Sequence, residues 1–470
     1  MAARLRKMSA PSARAAMMFG LPLSVAGCFV HHRAPPPAAP LGPLERAPTP
    51  VIINASAVYQ QAGYLVASGE IPFVGDVHAF AGSTPDSTRI IIAFSFPNRD
   101  LTFVRDGEQY RAAYDVSYGV RAGNALVARR TAHSEVRVAS FRETTRTEES
   151  VVVQQPLSMR PGSYTLDLSV RDNGSTNAGL LSRATVLPTF PAGGDMLASA
   201  AVYDVTPRTT RAQQPALIVN PRGTVTLGED TTLDVYVEAT GAAPTARVRV
   251  EVLADSASVL YADTVDLSGG SDLRSGVARL PVDRIGLGLL TIRVADERGA
   301  RAAPIAAVVR PADGLAVGSF REMLDYLRYF TSDARLRAVR ASDSATLADA
   351  WSRFVRTTDP DPSTSENEAM IAYFRRLEQA NERFGEGESA GWSTPRGRVF
   401  DAFGPPDATE EPTAEHADRP GAHLVWSYRD PALRLVFVDR TGRGDWQLDA
   451  ASALEFTTAI ARLTWCGRCG

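Results

Sequence analysis

Gly391-Trp392-Ser393-Thr394-Pro395-Arg396-Gly397-Arg398-Val399-Phe400, closing at Gly404-Pro405-Pro406-Asp407, separates two parts of different character. Gly391 permits a turn that other residues resist. Trp392 is large enough to plug a core, and Pro395 suits the start of a fixed turn. Arg396 and Arg398 are two apart, so they share a face if the backbone is extended, and we read Arg396 to Phe400 as a strand.

Upstream the apolar period is helical. Ser319-Phe320-Arg321-Glu322 is a capping box, and Phe320, Met323, Leu324, Leu327 and Phe330 make the stripe of the helix it opens. A second helix carries Leu347, Trp351, Phe354 and Val355 and stops before Asp359-Pro360, because a residue preceding proline resists the helical region. A third starts at the capping box Ser365-Glu366-Asn367-Glu368 and buries Met370, Tyr373, Phe374, Leu377 and Phe384, with Asn381 at the edge of that face. Downstream, Leu424–Tyr428 and Leu433–Val438 flank a turn at Arg429-Asp430-Pro431. Trp446-Gln447-Leu448 follows, and a last helix from Ala450 to about Leu463 covers one face. Residues 315–470 therefore form a helical segment plus a small antiparallel sheet, an α+β domain.

The order Asp359-Pro360, Ser363-Thr364, Asn367-Glu368, Tyr373, Arg375-Arg376, Ala380-Asn381, Phe384, Gly391-Trp392-Ser393-Thr394, Arg396-Gly397 and Gly404-Pro405-Pro406-Asp407 resembles the C-terminal domain of the bacterial GWxTD proteins. The resemblance covers roughly Phe320 to Leu448. It implies an exported protein with β-domains ahead of the motif domain, and it names no reaction. Pro395 replaces the name-giving aspartate, which weakens any role that needs that carboxylate. Two readings of Asp359, Asn367, Glu368, Tyr373, Asn381, Gly391, Trp392, Thr394, Arg396, Gly397 and Asp407 stand side by side. In the first they fix the fold: Trp392 plugs the third helix, and Arg396 makes a bidentate clamp on Asp359 or Glu368. In the second, Asp359, Glu368, Arg396 and Thr394 bind or transform a ligand.

Ahead of the helices the pattern is β. Within 51–190, Ile90–Phe96 is a strand stopped by Pro97, Tyr110, Tyr114, Val116, Tyr118 and Val120 alternate, and Tyr164, Leu166, Leu168 and Val170 alternate again. Within 201–311, Leu233, Val235 and Val237 alternate, as do Val248 and Val250. Gly286-to-Asp296 echoes Gly162-to-Asp172. We read two immunoglobulin-like sandwiches with a boundary between Pro188 and Pro215. Neither carries a Ser-His-Asp set or a cluster of metal ligands; His78 and His133 stand alone.

The first 27 residues read as an export signal, with Arg4, Arg6, Lys7 and Arg14 ahead of a short apolar run. Val25-Ala26-Gly27-Cys28 resembles a lipobox, so Cys28 is the expected lipidation site, and Phe29 after it favours the outer membrane. Residues 28–50, with prolines at 35, 36, 37, 40, 43, 48 and 50, form a tether that favours polyproline II. The formal net charge is −3 and the first 27 residues carry four positive charges and no acid, so the rest of the chain sits at −7. With no basic stripe, nucleic-acid binding has no support. Lys7 is the only lysine, which removes P-loop and Schiff-base chemistry from the exported chain.

Cys466 and Cys469 lie in Trp465-Cys466-Gly467-Arg468-Cys469-Gly470, with no helix after them to lower a thiol pKa, and read as a small terminal disulfide or two thiols. His416 and His423 lack a third ligand nearby, so no metal is expected there, and no cofactor motif occurs elsewhere. The expectation is a lipid-anchored envelope protein that binds or scaffolds protein partners. An envelope enzyme acting on glycan or peptide is the rival. The sequence names no small-molecule ligand.

Overall fold

The computed structural model describes residues 4–5, 59–60 and 63–462, apart from 146–148, 192, 242–245, 256, 312–314, 316, 365, 386–388 and 413–418. Of the expected signal only Arg4 and Leu5 are described; the rest of it, Cys28, the tether, His416, Cys466 and Cys469 lie outside the described residues.

Two sheets face each other in the first unit. Strands β1 (Val74–Ala81), β2 (Thr88–Pro97) and β5 (Glu149–Met159) pair antiparallel, with Leu65–Val66 beyond β1 and Arg4–Leu5 beyond β5. The second sheet runs through β3 (Gln109–Ala122), β6 (Gly162–Asp172) and β7 (Ala178–Leu187), with β4 (Ala125–Val138) on the other side of β3. Period-two alternation puts Ile90, Ile92, Phe94 and Phe96 against Tyr114, Val116, Tyr118 and Val120 in one core. His78, which stands alone in the sequence, lies inside β1 and is buried.

The second unit is a nine-stranded β-structure. Its strands β8 (Met196–Thr206), β9 (Thr232–Thr240), β10 (Ala246–Leu253), β11 (Val259–Gly269), β12 (Leu273–Pro281), β13 (Gly288–Asp296) and β14 (Ile305–Arg310) pair in the order β8-β9-β12-β11-β10-β13-β14, flanked by Ala216–Val219 and Thr224–Thr226. The stretch between Pro188 and Pro215 holds β8. The two echoing segments are β6 and β13, and each ends in the same kind of turn. Asp172 accepts from the Gly174 amide at 3.2 Å, and Asp296 from the Arg298 amide at 3.0 Å.

Between the sandwiches, Phe80, Ala81, Ile91 and Ala93 pack on Ala198, Ala200, Val202 and Tyr236. Arg208 and Glu238, each with 1% side-chain exposure, form a bidentate pair there at 2.6 and 2.7 Å, and Arg208 also donates to the Ala81 carbonyl.

Six helices follow: α1 (Phe320–Met323), α2 (Asp333–Arg340), α3 (Leu347–Thr358), α4 (Glu368–Arg383), α5 (Pro395–Phe403) and α6 (Ala450–Arg462). The sheet of Ala408–Glu410, β15 (Ala422–Arg429), β16 (Ala432–Asp439) and β17 (Trp446–Leu448) is antiparallel. The capping box at Ser319 and Glu322 forms, but α1 is one turn long. Tyr326–Tyr329 tightens into a 3-10 turn, and the Tyr326 carbonyl is taken by the Tyr373 hydroxyl at 2.5 Å. Helix α4 is capped by Asn367 and begins at Glu368. The Ser365 cap expected from the sequence falls outside the described residues.

One apolar core runs without a break from Val235 and Ile292 in the second sandwich, through Phe320, Trp351 and Phe374, to Leu435 and Phe456. The Trp351 indole donates to the Arg284 carbonyl of the sandwich at 2.9 Å, and its ring meets Phe320 edge-on. Among the described residues no helix is long and apolar enough to cross a membrane.

Candidate functional site

The segment Arg396 to Phe400 is helical, not a strand. Thr394 is an N-cap: its hydroxyl oxygen accepts from the Gly397 amide at 3.1 Å, and Pro395 occupies the first helical position, where its missing N–H costs no intrahelical bond. The Thr394 hydroxyl donates back to the Gly391 carbonyl at 2.8 Å. Gly391–Ser393 is a 3-10 turn laid on the end of α4, where the Gly391 amide donates to the Asn381 side chain at 3.0 Å. A methyl group on Gly391 would run into the Ala380 carbonyl, and one on Gly397 into the Gly391 carbonyl. Both glycines are therefore set by close approach of backbone to backbone.

The other motif residues are also committed inside the fold. Asn367 caps the Met370 amide at 2.9 Å while donating to the Val355 carbonyl at 3.0 Å and to the Thr358 hydroxyl at 3.1 Å, tying α3 to α4. Asp407 accepts from the Arg429 amide at 2.8 Å and pins the β15–β16 hairpin. Asp359 accepts from the Asp361 amide at 3.0 Å in the turn after α3. Glu368 starts α4, and its Oε2 is buried with no hydrogen bond among the described residues.

The arginine clamp is not made. Among the described residues no ion pair joins Arg396 to Asp359 or Glu368; its guanidinium lies 5.5 Å from the Phe384 ring centre and 5.7 Å from that of Trp446. Helix α5 aims Arg396 at these rings, a direction that a strand reading could not supply. Trp392 is buried. Its ring packs 4.8 Å from that of Tyr326, under the Arg328 guanidinium at 5.3 Å.

A polar knot that sequence reading missed lies behind this joint. Asp401, on α5, is 1% exposed, and among the described residues neither carboxylate oxygen has a hydrogen-bond partner. Burial pushes its carboxyl well above the usual carboxylate range, and the charges of Arg376, Arg328 and Arg398 offset this only in part. Arg398 donates to the Tyr329 hydroxyl at 2.9 Å, and Arg376 lies 5.6 Å from the Tyr373 ring centre. Burial, then the Asp401 charge, raises the Tyr373 hydroxyl well above the ordinary tyrosine range. The only trace of this in sequence is one acid inside the apolar run Val399-Phe400-Asp401-Ala402-Phe403.

Residues 295–442 match the family described as GWxTD domain. The chain carries a GWxTD domain. No curated protein matches the chain. Among solved structures, trypsin-activated alpha-2-macroglobulin from Escherichia coli is 11% identical, with 53% of this chain and 17% of that one covered and a TM-score of 0.18. The chicken CNTN1 FN1–FN3 domains are 11% identical over 50% of this chain and 66% of theirs, with a TM-score of 0.13. The fibronectin(III)-like modules of Clostridium thermocellum CbhA are 12% identical over 50% of this chain and 93% of theirs, again at 0.13. Likeness at this level carries no functional argument.

Among the described residues, no three His, Cys, Asp or Glu side chains gather to hold a metal. What the GWxTD domain's motif does physically is join α4 to α5 and seal a buried acid among arginines and tyrosines.

Proposed function

We propose that the chain is an exported envelope protein, held at the outer membrane by lipid on Cys28, whose GWxTD domain serves as a binding or scaffold module. The observation that supports this reading is the disposition of the motif. Asn367, Tyr373, Asn381 and Thr394 bond to backbone groups of the fold, and Gly391 and Gly397 serve backbone contact. A general acid or base must come within hydrogen-bond reach of its substrate, whereas these groups are already engaged and Asp401 is closed to solvent. Pro395 fits the same reading, since it serves the helix start without a carboxylate.

The test is recovery of partners from membranes with the wild-type chain and with Cys28→Ala. The wild type should sediment with membranes and bring envelope proteins with it, and the variant should be released. Retention of Cys28→Ala in the membrane fraction would remove the lipid anchor from the reading, and a wild type that recovers no protein would remove the scaffold role.

The enzyme reading has one observation in its favour, the raised carboxyl of Asp401 beside arginines, a pattern that clusters at catalytic sites. It requires the knot to open. Exchange of the amides around Asp401 that quickens with glycan or peptide fragments would support it.

A further inference from the structure

We propose that β4 is a self-association edge, at which a second copy of this chain adds its own β4 antiparallel about a two-fold axis at Ala132. Strand β4 spans fourteen residues and, among the described residues, pairs only with β3. Edges of this length are normally blunted by proline, by short strands or by charge, because their unpaired amides and carbonyls template further pairing. Here there is no proline, and the one register irregularity lies at the far end, opposite Val120 and Arg121.

The charges select a partner. A two-fold axis perpendicular to a sheet preserves its faces, so it must pass through a residue position and not between two. An axis at Arg130 sets that arginine against its own copy. An axis at His133 sets Arg129 against Arg137. An axis at Ala132 sets Arg129 opposite Glu135 twice, Arg130 opposite Ser134, and Ala128 opposite Val136, so that opposite charges and apolar groups meet in register. Arg129 is exposed and has no ion pair among the described residues, whereas Arg111 and Arg137 already hold Asp106 and Glu135. Arg111 uses Glu135 Oε1 at 2.7 Å and Arg137 approaches Oε2 at 3.5 Å, and a carboxylate with about four lone-pair sites retains room for a third donor. The Ala132 side chain is small and half-buried, which suits a position where two copies face each other.

The test uses the full chain with Cys28, Cys466 and Cys469 changed to serine, so that neither lipid nor native thiols join copies. In that background Ala132→Cys should form a covalent dimer on mild oxidation, while Leu180→Cys, exposed on the same sheet but away from the edge, should not. Sedimentation equilibrium should show dimerisation weakened about tenfold by Arg129→Glu and by Glu135→Arg, each placing like charges opposite one another twice. A mixture of the two variants should recover wild-type association, because every cross-strand pair is then complementary, and that recovery also shows that both are folded. Cross-linking of Ala132→Cys no faster than the Leu180→Cys control overturns the proposal, as does a mixture no tighter than either variant. Cross-linking of Ala132→Cys to a different envelope protein, with the pure chain remaining monomeric, assigns the edge to another partner and equally overturns it.

Discussion

Gly397 carries no side chain, and the joint between α4 and α5 depends on that. A methyl group there would lie 2.9 Å from the Trp392 Cα and closer still to the Gly391 carbonyl oxygen, and both are backbone, which cannot rotate away. Gly397→Ala is expected to cost about 2–3 kcal/mol by overpacking, read from the midpoint of urea unfolding. Asp401 gives a prediction of a different kind. Its folded pKa is raised above the unfolded value, so its favourable contribution is complete below about pH 4 and is lost as pH rises toward the folded value. Asp401→Asn keeps the shape without the titration. The variant should therefore gain stability relative to wild type between about pH 5 and about pH 8. A stability difference that is the same at both pH values would show that the carboxyl does not titrate in that window.

Among the elements, the helices were legible wherever local chemistry and apolar period agreed. The Ser319 capping box, the stripe from Leu347 to Val355 and the last helix at Ala450 are all present. Two arginines two apart, Arg396 and Arg398, suit an extended segment, but that spacing is a weaker signal than the pair ahead of it. Thr394-Pro395 is an N-cap followed by a first-turn proline, which announces a helix. The capping-box pattern starts the third helix at Ser365, whereas Asn367, itself a strong capping residue, caps it two positions later. Asp401 and its arginines were out of reach for a different reason. They come from α4, α5 and the Tyr326–Tyr329 turn, and only tertiary packing brings them together. The β16–β17 connection shows local chemistry at its most decisive. Burial alone would raise the Asp439 carboxyl, but amides of Gly444, Thr441 and Gly442 donate to it and hold it below the usual range. Asp439→Ala should cost about 2–3 kcal/mol by leaving those donors unmatched. A depressed pKa contributes stability above about pH 4 that is lost as pH falls, so the wild type should shed this advantage on acidification and approach the variant.

At the scale of the whole molecule, the sequence suggests three beads, and the structure joins two of them through one core. The first sandwich encloses its own, while the second sandwich and the GWxTD domain share one. Trp351 stands at that junction, bonded to the Arg284 carbonyl. Trp351→Ala should cost about 3–5 kcal/mol. It should lower the midpoint of the β-rich and helical signals together in a circular-dichroism melt, whereas separate midpoints would mean that the two units unfold independently. The shared core also bears on how such a domain travels between genes. The family match begins at residue 295, at the end of β13, ahead of the first helix. A recombination break placed in the loop before Phe320 would strand apolar surface on both fragments. The portable unit is therefore larger than its motif, and this GWxTD domain moved to a new host protein without the second sandwich would expose the apolar surface the two now share.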